Sequence, residues 1–298
     1  MIDRESALQT LHLEGGRVTD CHVHIFGSSR DMAEPRFPHP EEPAEFADFE
    51  KLGGALGVQR YVLTQPSFLG FDNSLILKAL AARPTDFRGV ICLEQSQDPA
   101  SIAKFAENGV AGLRFPLKYA NSLPDWSAYG EIFQAAAQSN IPVELGLAGP
   151  ELIKAVHKVL EHGAQVVVAH LGMFDPDLGP DRDPAFGALM EAAQTRRIWI
   201  KLSAPYRSTE AFADRACERI LEVLGPDRTV WGSDWPHVGP RLNRQSTYPT
   251  TLSWLLRIAS GEAIKRQIFE ASPDQLYNFA SRAMQPRIED PKTEDYDD

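Results

Sequence analysis

Residues 18–26 read VTDCHVHIF, a β-branched run that carries Asp20, His22 and His24 toward its carboxyl end. Side chains alternate faces along a strand, so histidines at i and i+2 project to one side and converge on one point. Two imidazoles held that way can polarise a carbonyl, relay a proton near neutral pH or ligate a divalent metal. A pair of ordinary core histidines would need buried partners of its own. Here further polar residues arrive at the ends of later apolar runs: Arg114, Glu144, His170, Lys201, Ser203 and Asp234. Asp234 suits a general base, being ionised at neutral pH, and the three histidines suit carbonyl polarisation or proton relay. The same alternation sets Cys21 opposite His22, as packing. Lys201 with Glu144 reads equally well as a buried ion pair or as part of the site.

These residues need a frame that gathers strand ends. Apolar, β-branched runs recur at 18–25, 61–65, 89–93, 110–115, 141–147, 165–170, 198–203 and 229–235. Stretches with helical spacing lie between them at 45–56, 73–82, 99–107, 127–139, 151–161, 184–195 and 210–224. Eight strands alternating with helices over some 250 residues predict an α/β fold, a single-domain (β/α)8 TIM barrel with its site at the carboxyl ends of the strands. An open doubly wound sheet is the alternative, but no glycine-rich turn follows the first strand. The expected barrel spans 18–284, with an N-terminal extension at 1–17, added helices at 250–260, 262–270 and 273–284, and an acidic tail at 285–298 that reads as disordered. Gly112 and Gly232 share faces with Arg114 and Asp234, which would leave room for a ligand. The Pro-rich connection 27–43 reads as a lid over the barrel mouth, with His39 solvated on it.

Composition narrows the function further. A formal charge of −11 over 298 residues argues against nucleic acid and anionic membrane as partners. Neither a membrane span nor a secretory signal is evident, so a soluble, cytoplasmic protein is expected. Three scattered cysteines make no disulfide framework or zinc-thiolate site. Asp72 and Asn73 read as helix caps, His157 and His162 as solvated helix residues, and His12 has no indicated role. Oligomeric state is left open.

Six segments together resemble a known family: DCHVHIF, QPSFLGFDN (65–73), VAGLRFPL (110–117), VVVAHLG (166–172), IWIKLSAPYR (198–207) and VWGSDWPH (230–237). They are similar to the amidohydrolase-2 branch of the amidohydrolase superfamily, and within it most resemble the 2-pyrone-4,6-dicarboxylate hydrolase-like lactonases. The resemblance runs from about residue 18 to 280. HxH alone is weakly specific; HxH, HLG and WGSDWPH in this order are specific to the family and much less so to a substrate.

The resemblance implies a hydrolase that opens a lactone carrying a carboxylate. Asp234 would be the water-activating base, with His22, His24 and His170 lining the carbonyl. It implies that Arg114 and Arg207 clamp substrate carboxylate, a natural bidentate pairing for guanidinium, with Lys118 near a third basic position. Ser67, Tyr206 and His237 are further candidate substrate contacts; His237 could instead cap its loop and Tyr206 could be packing. Met173 and Phe174 replace an arginine-bearing segment, and Phe68 and Leu69 a histidine-bearing one, which implies a smaller anion or a more apolar ring. The lactonases that this chain most resembles work without a cofactor. A single divalent metal ion (Zn) on His22, His24, Glu144 and Asp234 is the alternative, although zinc-binding relatives usually add a strand-5 histidine where Glu144 stands. A metal-dependent decarboxylase, a sugar-acid lactone isomerase and a non-catalytic acid-binding barrel are the rival readings.

Overall fold

The computed structural model describes residues 11, 13–27, 43–117, 123–237 and 247–279. The proposed lid with His39, Lys118, His12 and the acidic tail lie outside these residues. Eight strands run in one parallel sheet in chain order: β1 Val18–Val23, β2 Val58–Thr64, β3 Phe87–Ile91, β4 Val110–Phe115, β5 Val143–Leu145, β6 Val166–Val168, β7 Ile198–Ser203 and β8 Thr229–Gly232. Helices α1 Phe46–Ala55, α2 Ser74–Ala82, α3 Ser101–Glu107, α4 Gly130–Gln138, α5 Gly149–Glu161, α6 Pro184–Ala193 and α7 Glu210–Leu224 fill the connections. This is the (β/α)8 TIM barrel that the alternation of runs predicts. A parallel strand must return by a crossover, and a helix covering the sheet is the usual one.

The seam between β8 and β1 closes the barrel with few bonds, and they pass through the predicted chemistry. Asp234 donates its backbone N–H to the His22 carbonyl at 2.9 Å, and His24 donates to the Trp235 carbonyl at 2.9 Å. On the outer side, the Asp20 carboxylate accepts from Ser233 N at 2.9 Å, His22 N at 3.0 Å and the Tyr248 hydroxyl at 2.6 Å. Burial pushes the Asp20 carboxyl up to about 6, against the pull of these donors. Asp20 therefore braces the seam from behind, a role that its place in the motif did not disclose.

Strict alternation fails in β1. Asp20 pairs with Tyr61 and Val23 with Leu63, so β1 carries an extra residue, a bulge that turns the chain. As a result Cys21 does not face away from the histidine side. It packs with Val62, Val90, Val167, Trp199 and Val230 in the barrel interior, beneath the site. The small residues also serve the fold more than a ligand. A Cβ at Gly232 would lie 2.5 Å from the His22 Cβ, and one at Gly112 would lie 3.0 Å from Val90. Gly232→Ala should therefore displace His22 and cost about 1–3 kcal/mol, read as a lowered denaturation midpoint.

The outer layer holds most of the apolar core. Leu152, Val156 and Val159 of α5 and Ala213, Cys217 and Ile220 of α7 are buried at helical spacing. After α8 Tyr248–Ile258, the expected break between the last helices is absent. α9 Glu262–Arg266 runs through a π-helical turn, Gln267–Ala271, into α10 Ser272–Tyr277. The wider turn accommodates Pro273, which lacks the N–H that a regular helix would use there. Among the described residues no helix is long and apolar enough to cross a membrane.

Candidate active site

His22, His24, His170 and Asp234 come together at the carboxyl end of the barrel, all buried. The Nε2 atoms of His22, His24 and His170 stand 3.4, 3.4 and 3.9 Å from one oxygen, Asp234 Oδ1. The other oxygen is taken: Arg207 donates to Oδ2 at 2.9 Å, and the Tyr206 hydroxyl donates to it as well. Asp234 thus turns one oxygen to the imidazoles while two donors fix the other. Burial alone would raise its carboxyl pKa, but the neighbouring His170 and the Arg207 guanidinium hold it well below the usual carboxylate range.

Each ring is oriented through its second nitrogen. His24 Nδ1–H donates to the Thr64 carbonyl at 2.7 Å, and a carbonyl only accepts, so the neutral ring offers a lone pair at Nε2. His170 Nδ1 lies 2.9 Å from the Ser203 hydroxyl. His22 Nδ1 lies 3.1 Å from Lys201 Nζ. Burial lowers the pKa of His22 and of His170 well below the ordinary imidazole value; Lys201 adds to the effect on His22, and Arg207 to that on His170. Both rings are neutral at pH 7.

His170 does not sit on a strand. β6 stops at Val168, and His170, Leu171, Gly172 and Met173 all have positive φ, a left-handed turn. For non-glycine residues such a conformation costs about 1–2 kcal/mol each. Asp234 and His237 also have positive φ. At His170 and Asp234 this strain falls where side chains turn toward the cluster.

Beneath the imidazoles lies a buried ion network. Glu144 Oε2 is 2.6 Å from Lys201 Nζ and its Oε1 is 3.0 Å from Arg114 Nε. These are ion pairs whose angles fall short of hydrogen-bond alignment. Arg114 also donates to the Gln65 carbonyl. The two arginines expected at substrate carboxylate are thus both in the site, Arg114 against Glu144 and Arg207 against Asp234. Counting Arg114, Lys201 and Arg207 against Glu144 and Asp234, the described cluster carries one positive charge when the histidines are neutral.

The remaining candidates are spread around the mouth. His237 is buried edge-on to Tyr206, with ring centroids 5.4 Å apart. Ser67 is half-buried on the 3-10 turn Ser67–Leu69, with no side-chain hydrogen bond to the cluster. Phe68 meets Phe26 edge-on at 5.1 Å, and Trp235 packs on the same group, so one wall of the mouth is apolar. Met173 and Phe174 are buried in the core. Asp72 accepts from Ser74 N as a local cap, whereas Asn73 makes no cap and instead ties the turn to Cys92 at the end of β3. His157 is exposed, but His162 is half-buried against Phe133. A separate depression of about 670 Å³ between α5 and α6, lined by Ile153, Phe174 and Leu178, shares no residue with the cluster.

One group, His22, His170 and Asp234, is compact enough to hold a metal ion, with ligand atoms within 4.8 Å of one another. Around a tetrahedral zinc with bonds of about 2.0–2.1 Å, neighbouring ligands stand roughly 3.3–3.4 Å apart, close to the spacing at Asp234 Oδ1. Glu144, expected in such a set, is instead 3.7 Å from the Nδ1 of His22 and paired with two cations. The chemistry of His22 opposes the fit. A metal-bound histidine donates its other N–H to an acceptor, whereas the Nδ1 of His22 faces the Lys201 ammonium, which has only hydrogens to offer. The donor set does not fit a metal through His22 as it stands.

Known proteins share this arrangement of the chain. A 4-sulfomuconolactone hydrolase from Hydrogenophaga intermedia is 26% identical over 277 residues, covering 88% of this chain and 89% of that protein. A 2-pyrone-4,6-dicarboxylate hydrolase from Comamonas testosteroni is 25% identical over 280 residues, covering 87% and 89%. The solved structure of a Pseudomonas putida protein assigned as a 2-pyrone-4,6-dicarboxylic acid hydrolase superposes with a TM-score of 0.81 at 27% identity, covering 91% of this chain and 99% of its own. Residues 19–279, from the seam-bracing strand to the last described helix, match the amidohydrolase family profile, and the chain belongs to the amidohydrolase family.

Proposed function

We propose that this protein hydrolyses a lactone carrying one carboxylate, with Asp234 as general base. The observation that carries the reading is the division of Asp234: Oδ2 is held by Tyr206 and Arg207, and Oδ1 is turned toward three imidazoles. Asp234 Oδ1 and His24 Nε2, two acceptors 3.4 Å apart, can take the two hydrogens of one water. With its Nδ1 facing Lys201, His22 presents Nε2–H as a donor for the lactone carbonyl. Water adds to the carbonyl carbon as its proton passes to Asp234, and His22 stabilises the oxyanion. Collapse breaks the ring C–O bond, and the proton returns from Asp234 to the leaving alkoxide.

The single excess positive charge favours a monoanionic substrate, and the Phe26, Phe68 and Trp235 wall favours an apolar ring face. The names of the two curated relatives, both lactone hydrolases, support the reaction class. A screen of lactone mono- and dicarboxylates, with and without chelator, tests it. Chelator-insensitive opening of a monocarboxylate is expected; turnover that requires added zinc, or release of carbon dioxide, would contradict it.

The pH profile follows from the same groups. Protonating Asp234, His22 or His170 removes function, and all three titrate below their ordinary values. Asp234, His22 and His170 should therefore already be in their working states at neutrality, and any acid limb that they set in kcat/KM should lie below the ordinary imidazole value of about 6.5. An acid limb centred at or above that value, traced by NMR titration to His22 or His170, would contradict the assignment.

A further inference from the structure

We propose that Lys201 is a positioning residue that fixes His22 as the Nε2–H tautomer, making this ring a hydrogen-bond donor beside Asp234 and closing it to metal coordination. Lys201 is fully buried on β7, and its ammonium is held from three sides: Glu144 Oε2 at 2.6 Å, His22 Nδ1 at 3.1 Å and the Tyr277 ring centroid at 5.7 Å. Glu144 is itself bracketed by Arg114 and faces the Lys201 ammonium as its counter-ion. An ammonium has three donors and no acceptor. His22 Nδ1 can approach it at 3.1 Å only with its lone pair, which leaves the ring hydrogen of the neutral imidazole on Nε2. Coordination at Nε2 would demand the opposite tautomer, with Nδ1–H facing the ammonium head-on and a second positive charge behind the ring.

The ion pair that the sequence left ambiguous thus acts through its third partner. Were Lys201 only the counter-ion of Glu144, removing it would change stability and leave the tautomer of His22 unbiased. The inference deepens the proposed reaction, since it supplies the donor for the carbonyl, but its test needs no substrate. Long-range ¹H–¹⁵N correlation on the ¹⁵N-histidine-labelled full chain at pH 7, with His22 assigned by the signals lost in His22→Asn, should show Nε2 protonated and Nδ1 bare. Zinc competition against a chromophoric chelator should then show weak binding by the wild type. Affinity should rise by about 10–100-fold in Lys201→Met, the range by which outer partners of a ligating histidine alter metal binding. The double variant Lys201→Met/Glu144→Gln preserves the charge balance, should show the same rise, and serves if the single variant does not fold. Protonated Nδ1 in the wild type, stoichiometric tight zinc in the wild type, or unchanged zinc affinity in both variants would overturn the proposal. Absence of turnover on every lactone, with the Nε2–H tautomer present, would overturn the reaction assigned above and leave the role of Lys201 standing.

Discussion

Replacing Asp234 with asparagine should lower kcat by about 10²–10⁴-fold while changing the affinity for a carboxylate ligand by less than about tenfold. The substitution keeps size and burial and removes the carboxylate oxygen turned toward the Nε2 atoms of all three imidazoles. Tyr206 and Arg207 can still donate to the amide oxygen, so the seam should hold. The expected signature is a fall in kcat and kcat/KM together with a modest change in KM. Steady-state kinetics with direct ligand titration separates the two quantities. A barrel that only binds its ligand would show no turnover in either protein.

The second large effect is on stability. Glu144→Leu leaves the Arg114 and Lys201 charges buried without their shared partner, and breaking a buried ionic network in this way costs about 3–5 kcal/mol. For a domain of this size that corresponds to a fall in Tm of roughly 6–20 °C. Replacing Arg114, Glu144 and Lys201 together by apolar residues of similar volume should cost much less than the single change, because no charge is then stranded. Thermal and urea denaturation of the two variants provide the comparison. Equal losses would mean that packing, not charge pairing, dominates at this level of the barrel.

The convergence of His22, His24, His170 and Asp234 was legible from the sequence because the barrel brings every strand's carboxyl end to one mouth. β4, β7 and α7 begin and end where their hydrophobic patterns do. β5 and β6 are shorter than their apolar runs, since only three residues of each pair with their neighbours. What the pattern could not convey was a one-residue bulge or a contact between distant strands. The bulge in β1 turns Cys21 inward against the period-2 rule. The bond between Lys201 and His22 spans 179 residues, and the Asp20 brace to Tyr248 spans 228. Gly232 looked like space for a ligand because a glycine in a sequence does not say whose side chain fills the gap. The nearest signal is chemical: a lysine inside an otherwise apolar strand needs a buried partner, and Glu144 supplies one candidate, but nothing in the spacing points to the imidazole of His22.

The most direct measurement is the fate of solvent oxygen when metal-stripped wild-type protein turns over a lactone monocarboxylate in ¹⁸O-labelled water. Water activated by Asp234 predicts one labelled oxygen in the newly formed carboxylate, incorporated at the full catalytic rate with no metal added. Product without label, or label that appears only when zinc is restored, would contradict the account.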